Sequence, residues 1–207
     1  MLGKPIPAAM DRENVLFTMV SGPFGEKYGR AEAVEASASF CKSHRCHVQS
    51  FTTRALFFVS KALEYLSPSR RERPYTHSTV QRSTQAYLEG LASSIFTLCP
   101  CGKNPESYRI YEAILAGSIP IVHNSSISAN NHTSCYQPYK FLSDLGAPIL
   151  FIQSWDELPA LLKPYMALPS LAYHHQQRLL SWYADVFVPY LRQLSVGIIT
   201  ETMLPNA

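Results

Sequence analysis

Charge is what this chain has least of. Only 16% of its 207 residues are charged, against about 25% in typical soluble domains. The 18 basic and 15 acidic residues leave a net charge of +3, and no Lys/Arg-rich cluster recurs. Duplex binding by counterion release needs a basic face, so a nucleic-acid partner is not expected. No run of 18 apolar residues occurs, so nothing here is long enough to span a membrane as a helix. The start, Met1-Leu2-Gly3-Lys4-Pro5, lacks the apolar core of a signal peptide. Five cysteines (Cys41, Cys46, Cys99, Cys101, Cys135) are an odd and sparse set. They exclude a disulfide-stapled miniprotein and leave the compartment open. With 46% apolar residues, the chain is also too hydrophobic to be disordered.

What is present is alternation. Residues 1–13, with two prolines and no periodicity, read as a leader or a truncated start. Asn14–Val20 has the composition of a buried strand and empties into a turn at Ser21–Gly25. A helical pattern runs from Tyr28 to about Phe40, and Leu56–Val59 suggests a second buried strand. Ser67–His77 reads as a loop and Thr84–Ala92 as a short helix. Ile95–Cys99 is a strand closed by Pro100-Cys101-Gly102. A helix follows over Ser107–Ala116, with Gly117 where a left-handed C-cap is wanted, and then the strand Ile119–Val122. This is one βαβ unit.

Beyond the polar loop Asn124–Tyr136, a short helix is expected over Lys140–Leu145, ended by Gly146, and a strand over Pro148–Ile152. Ser154 and Glu157 form a capping box that opens a helix through Leu162. The final helical stretch, Leu171–Leu194, puts Leu179, Trp182, Tyr183 and Val186 on one face, and Pro189 should kink or end it. The implied fold is α/β, a Rossmann-like parallel sheet with helices on both faces. Its domain spans 14–194, leaving 195–207 as a tail.

Ligands of such sheets bind beyond the carboxyl ends of the strands. Gly102 would let the backbone approach a ligand closely, and the following helix N-terminus, opened by Ser107, suits a phosphate. Arg109 in the first turn could clamp a diphosphate bidentately. Glu112, one turn deeper, could accept from ribose hydroxyls. On spacing alone a plain surface i, i+3 ion pair is the favoured reading of the same two residues.

Cys41, His44, Cys46 and His47 are metal-ligand types in a non-standard zinc spacing, so no metal site is expected there, and a Cys41–Cys46 or Cys99–Cys101 bridge is little favoured. His123 is the histidine at a strand end near the site, a weak candidate for a catalytic base beside a plain structural reading. His174-His175 reads as exposed.

The motifs Leu98-Cys99-Pro100-Cys101-Gly102, Ser107-Tyr108-Arg109-Ile110-Tyr111-Glu112-Ala113 and Gly117-Ser118-Ile119-Pro120-Ile121-Val122 together resemble the donor-binding core of exostosin-like glycosyltransferases. Gly146–Ile152, Trp155–Leu162 and Leu179–Tyr183 extend the likeness. They resemble the branch that transfers xylose onto ribitol-5-phosphate of an O-mannosyl glycan on a glycoprotein. The strong part covers residues 96–183.

The resemblance implies the C-terminal half of a GT-B fold and an inverting, UDP-xylose-dependent pentosyltransferase in the Golgi lumen, type II and membrane-anchored. The diphosphate would meet Arg109, the ribose Glu112, and Ser118, Ile119 and Pro120 would line the cleft. No metal or other cofactor is implied, and the sequence has no Asp-x-Asp. The N-terminal domain and the anchor of the family have no counterpart in these residues, and no general base can be named. The chain alone is therefore expected to transfer almost nothing, whether as an inactive fragment, an incomplete gene product or a reduced paralogue. Rivals are an exostosin-like transferase of another UDP-sugar and a non-catalytic Rossmann-like module. In a lumen, the sequons at Asn131 and Asn124 would be glycan acceptors, Asn131 the more accessible.

Overall fold

The computed structural model describes residues 6–20, 30–50, 77–100, 107–123 and 139–203. The expected turn at 21–25, the strand at 56–59 and the loop at 124–136 lie outside these residues, as do Cys101, Gly102, Asn124 and Asn131.

Among the described residues five parallel strands form one sheet: β1 (Asn14–Val20), β2 (Cys46–Ser50), β3 (Ser94–Cys99), β4 (Ile119–His123) and β5 (Leu150–Ile152), in the order β2-β1-β3-β4-β5. Leu16 lies between Cys46 and Phe96, Phe96 pairs with Ile119, and Ile121 with Leu150. β2 departs from expectation. Its sequence, Cys-His-Val-Gln-Ser, carries neither an apolar run nor a clean alternation. It is a strand because β1 offers it an unpaired edge.

Successive helices are α1 (Arg30–Phe40), α2 (His77–Ser93), α3 (Tyr108–Leu115), α4 (Lys140–Asp144), α5 (Leu158–Ala167), α6 (Pro169–Trp182) and α7 (Val188–Met203). From β1 the chain moves one way across the sheet to β2, and from β3 the other way to β4. Right-handed crossovers in opposite directions put their helices on opposite faces. Accordingly α1 packs with α5, while α3 touches α2 and α6.

Both expected glycine caps form. Gly117 (φ 69°) and Gly146 (φ 66°) are left-handed. The bonds Gly117 N–H to Ile114 O and Ser118 N–H to Ala113 O, repeated by Gly146 to Ser143 and Ala147 to Leu142, make two Schellman motifs.

Residues 6–13 of the supposed leader are part of the fold. Residues 9–11 form a 3-10 turn against α6, and Arg12 is 8% exposed. Its guanidinium donates to Leu91 O (3.1 Å), Ser94 O (2.7 Å) and Ala116 O (2.6 Å). One cation thereby closes the C-terminal ends of α2 and α3, where free carbonyls collect. Gln176 joins in, donating to Pro7 O and Gly117 O while its Oε1 accepts from Ala9 N–H. A single arginine and a single glutamine carry this docking, so no periodicity announces it. The tail is likewise corrected, because helix α7 continues through residues 195–203.

The long C-terminal helix does not simply kink or end at Pro189. A π-turn, Tyr183–Phe187, is inserted before it, and the Val188 N–H reaches back five residues to Tyr183 O. The extra residue rotates the following face. Val186, expected inward, is 39% exposed, and Phe187 is buried in its place.

Cys41 and Cys46 form a disulfide that ties the end of α1 to the start of β2, which corrects the low weight given to this bridge. His44 instead stacks on Phe40, centroids 4.1 Å apart, and His47 packs on Phe17. Among the described residues no three metal-ligating groups converge, and Cys99 is a free thiol. Replacing Cys41 and Cys46 together by serine should lower unfolding stability by about 2 kcal/mol, the loop-closure value for so short a ring. Urea titration of the double variant against the oxidised parent checks it.

His175 is half-buried. It bridges Tyr165 Oη (2.9 Å) and Pro148 O (2.7 Å), which pins α6 to α5 and to the entry of β5. Its neighbour His174 is exposed as expected.

Candidate functional site

Strand order reverses between β1 and β3, so the crevice at their carboxyl ends is the switch point where open α/β sheets take ligands. α3 starts there. Ser107 is its N-cap, its Oγ accepting from the Arg109 N–H at 3.3 Å. Ile110, Ala113 and Ile114 bury the opposite arc of the helix, which leaves Arg109 and Glu112 on the outer one.

Arg109 is half-buried, and its Nε is buried without a hydrogen-bond partner among the described residues. A buried N–H left in this state is costly unless something accepts from it, and a phosphate oxygen is such an acceptor. Glu112 lies on the helix surface, its Oε2 accepting from the hydroxyl of Tyr87 on α2. The Arg109 charge also reaches Cys99 at the end of β3. Burial pushes the Cys99 thiol up to about 12, with Arg109 opposing. At neutral pH it is an un-ionised core group and no nucleophile.

Tyr87 escapes sequence reasoning altogether. It falls in a helical pattern, and its approach to Glu112 is set by the packing of α2 on α3. No local signal encodes that contact.

Other expected site residues lie elsewhere. Ser118 and Ile119 are fully buried at the amino end of β4. The Ser118 hydroxyl meets Thr97 Oγ1 at 2.7 Å and Ile95 O at 3.3 Å. Pro120 pairs with Thr97 inside the sheet. The structure does not bring these three together with Arg109 and Glu112, and packing accounts for their burial.

His123 stands at the carboxyl end of β4, but its ring stacks on Trp155, centroids 5.6 Å apart. Burial lowers its pKa, against a backbone contact at Gln153 and the carboxylates of Glu157 and Glu32. Those neighbours belong to the side of the sheet that carries α1 and α5, whereas Arg109 and Glu112 sit with α2.

Residues 44–204 match the family described as the RXYLT1 C-terminal domain, and the chain belongs to that family. Ribitol-5-phosphate xylosyltransferase 1 of Homo sapiens is 38% identical over 128 residues, covering 60% of this chain and 29% of that protein. The Danio rerio protein of the same name is 38% identical over 137 residues (66% and 30%), and that of Mus musculus 42% over 120 (56% and 27%). The chain thus spans under a third of the length of these relatives. A solved structure, the C-terminal CMP-Kdo binding domain of WaaA from Acinetobacter baumannii, aligns over 86% of this chain and 91% of its own. The TM-score is 0.47 and the identity 15%.

Proposed function

We propose that this chain is the donor-binding part of an inverting glycosyltransferase that moves xylose from UDP-xylose to ribitol-5-phosphate on an O-mannosyl glycan of a glycoprotein. The observation that carries the reading is the Arg109–Glu112 pair at the sheet's switch point, in a chain whose family includes the xylosyltransferases above. Arg109 and the N-terminus of α3, with Gly102 in the preceding segment, meet the diphosphate. Glu112 takes the ribose. No metal is needed in this arrangement, since helix and guanidinium supply the positive field.

A facing Rossmann-like domain supplies the acceptor site and the general base, because transfer needs both substrates held in one cleft. Among the described residues no helix is long and apolar enough to cross a membrane. The Cys41–Cys46 disulfide fits an oxidising compartment, which supports a Golgi-luminal setting.

Arg109→Ala should weaken UDP binding by about 1.5–3 kcal/mol, the scale of charge-assisted hydrogen bonds to a buried anion, while the melting temperature barely moves. Calorimetric titration of the parent and variant decides. Equal UDP affinity in both removes Arg109 from the site. A parent that shows no saturable UDP binding sinks the donor reading and leaves a non-catalytic module. Competition by UDP-xylose against other UDP-sugars separates xylosyl transfer from a related specificity.

A further inference from the structure

Glu112 is exposed, yet it is not free to wander. The Tyr87 hydroxyl donates to its Oε2 from a helix 25 positions earlier. The Tyr87 ring rests on Phe17 of β1, centroids 5.7 Å apart at 58°. Phe17 in turn is fully buried among Leu91, Ala113 and Ala116. One end of the phenol is therefore anchored in the core and the other holds the carboxylate. The Arg109 guanidinium lies beside the same hydroxyl. Burial and Glu112 keep the phenol protonated well above its usual range, with Arg109 pulling the other way.

A carboxylate offers about four acceptor sites, and one phenol occupies one of them, so capacity remains for a ligand. Fixing a free side chain on binding weakens affinity by roughly two- to tenfold. A carboxylate already held removes that cost.

We propose that Tyr87 is a positioning residue of the donor site, its hydroxyl presetting Glu112 for the ribose hydroxyls of a nucleoside diphosphate. This rests on the donor reading above. It adds a residue that touches neither phosphate nor sugar and acts through Glu112.

Tyr87→Phe keeps the ring on Phe17 and removes only the hydroxyl. UDP and 2′,3′-dideoxy-UDP are titrated into the full chain, Tyr87→Phe, Glu112→Ala and the double variant. Tyr87→Phe should bind UDP up to about tenfold more weakly, the ordering cost that a preset carboxylate avoids. Its affinity for the dideoxy nucleotide should be unchanged. The double variant should bind UDP no more weakly than Glu112→Ala, because the hydroxyl then has nothing to hold.

Equal losses for both nucleotides, or additive losses in the double variant, make Tyr87 a merely structural residue and overturn the proposal while the donor reading stands. Parent-like UDP affinity in Tyr87→Phe overturns it as well. Absence of UDP binding by the parent removes the donor reading and this proposal with it.

Discussion

Arg12→Met should lower the unfolding free energy by about 3–5 kcal/mol, a large share of the 5–15 kcal/mol typical of a whole domain. The methionine fills much of the space but donates nothing. The carbonyls of Leu91, Ser94 and Ala116, each now bonded to the guanidinium, are left buried and unpaired. Burial lowers the Arg12 pKa to about 10, so at neutral pH the group is still a cation. It therefore also loses its favourable position at two helix C-termini. Arg12→Lys should recover only part of the loss, since a single ammonium cannot span carbonyls from two helices as a planar fork does. Urea unfolding of the three proteins measures this. A loss under about 1 kcal/mol in the methionine variant would show the Arg12 contacts to be dispensable for stability.

Phe187→Ala should cost about 3–5 kcal/mol, the range for emptying a buried aromatic site, whereas Val186→Ala should stay within about 0.5 kcal/mol as an exposed change. Phe187 is ringed by Trp182 (5.4 Å between centroids), Tyr111 and Tyr183 (both 5.6 Å) and Phe141 (6.2 Å). An uninterrupted α-helix would bury residue 186, four after Trp182. The π-turn buries residue 187, five after it. Thermal melts of the two variants discriminate between these registers, and a larger loss at position 186 would refute the inserted residue.

These two sites mark where sequence reasoning runs out. The β3–α3–β4 unit is legible because everything that defines it is local: an apolar run, Ser107 as a cap, apolar residues at helical spacing, and Gly117 in the position only a left-handed cap explains. The places of Arg109 and Glu112 on the outer arc of α3 follow from the same spacing. The strand β2 is hidden because its five residues have no strand pattern and gain their ladder from a neighbour. Val186 is misassigned because a 3.6-residue period cannot anticipate a five-residue step, although Pro189 does signal that the backbone must adjust nearby. Arg12, Gln176 and Tyr87 share one obstacle. Each acts through a polar atom on a partner distant in sequence, and polar contacts of that kind leave no periodic trace.

The fastening of residues 7–9 by Gln176, across 167 and 169 positions, sets an order of events during synthesis. Strand β1 is made before the other four strands of the sheet, with its apolar run Val15–Phe17 ready to pair. The amide and carbonyl that lock the segment ahead of it have no partner until α6 has been made. Contacts of such long range are slow to form, and apolar strands waiting for them are prone to aggregate. The sheet is thus sealed only once α6 is made, and a nascent chain halted before residue 176 would expose β1 without a latch.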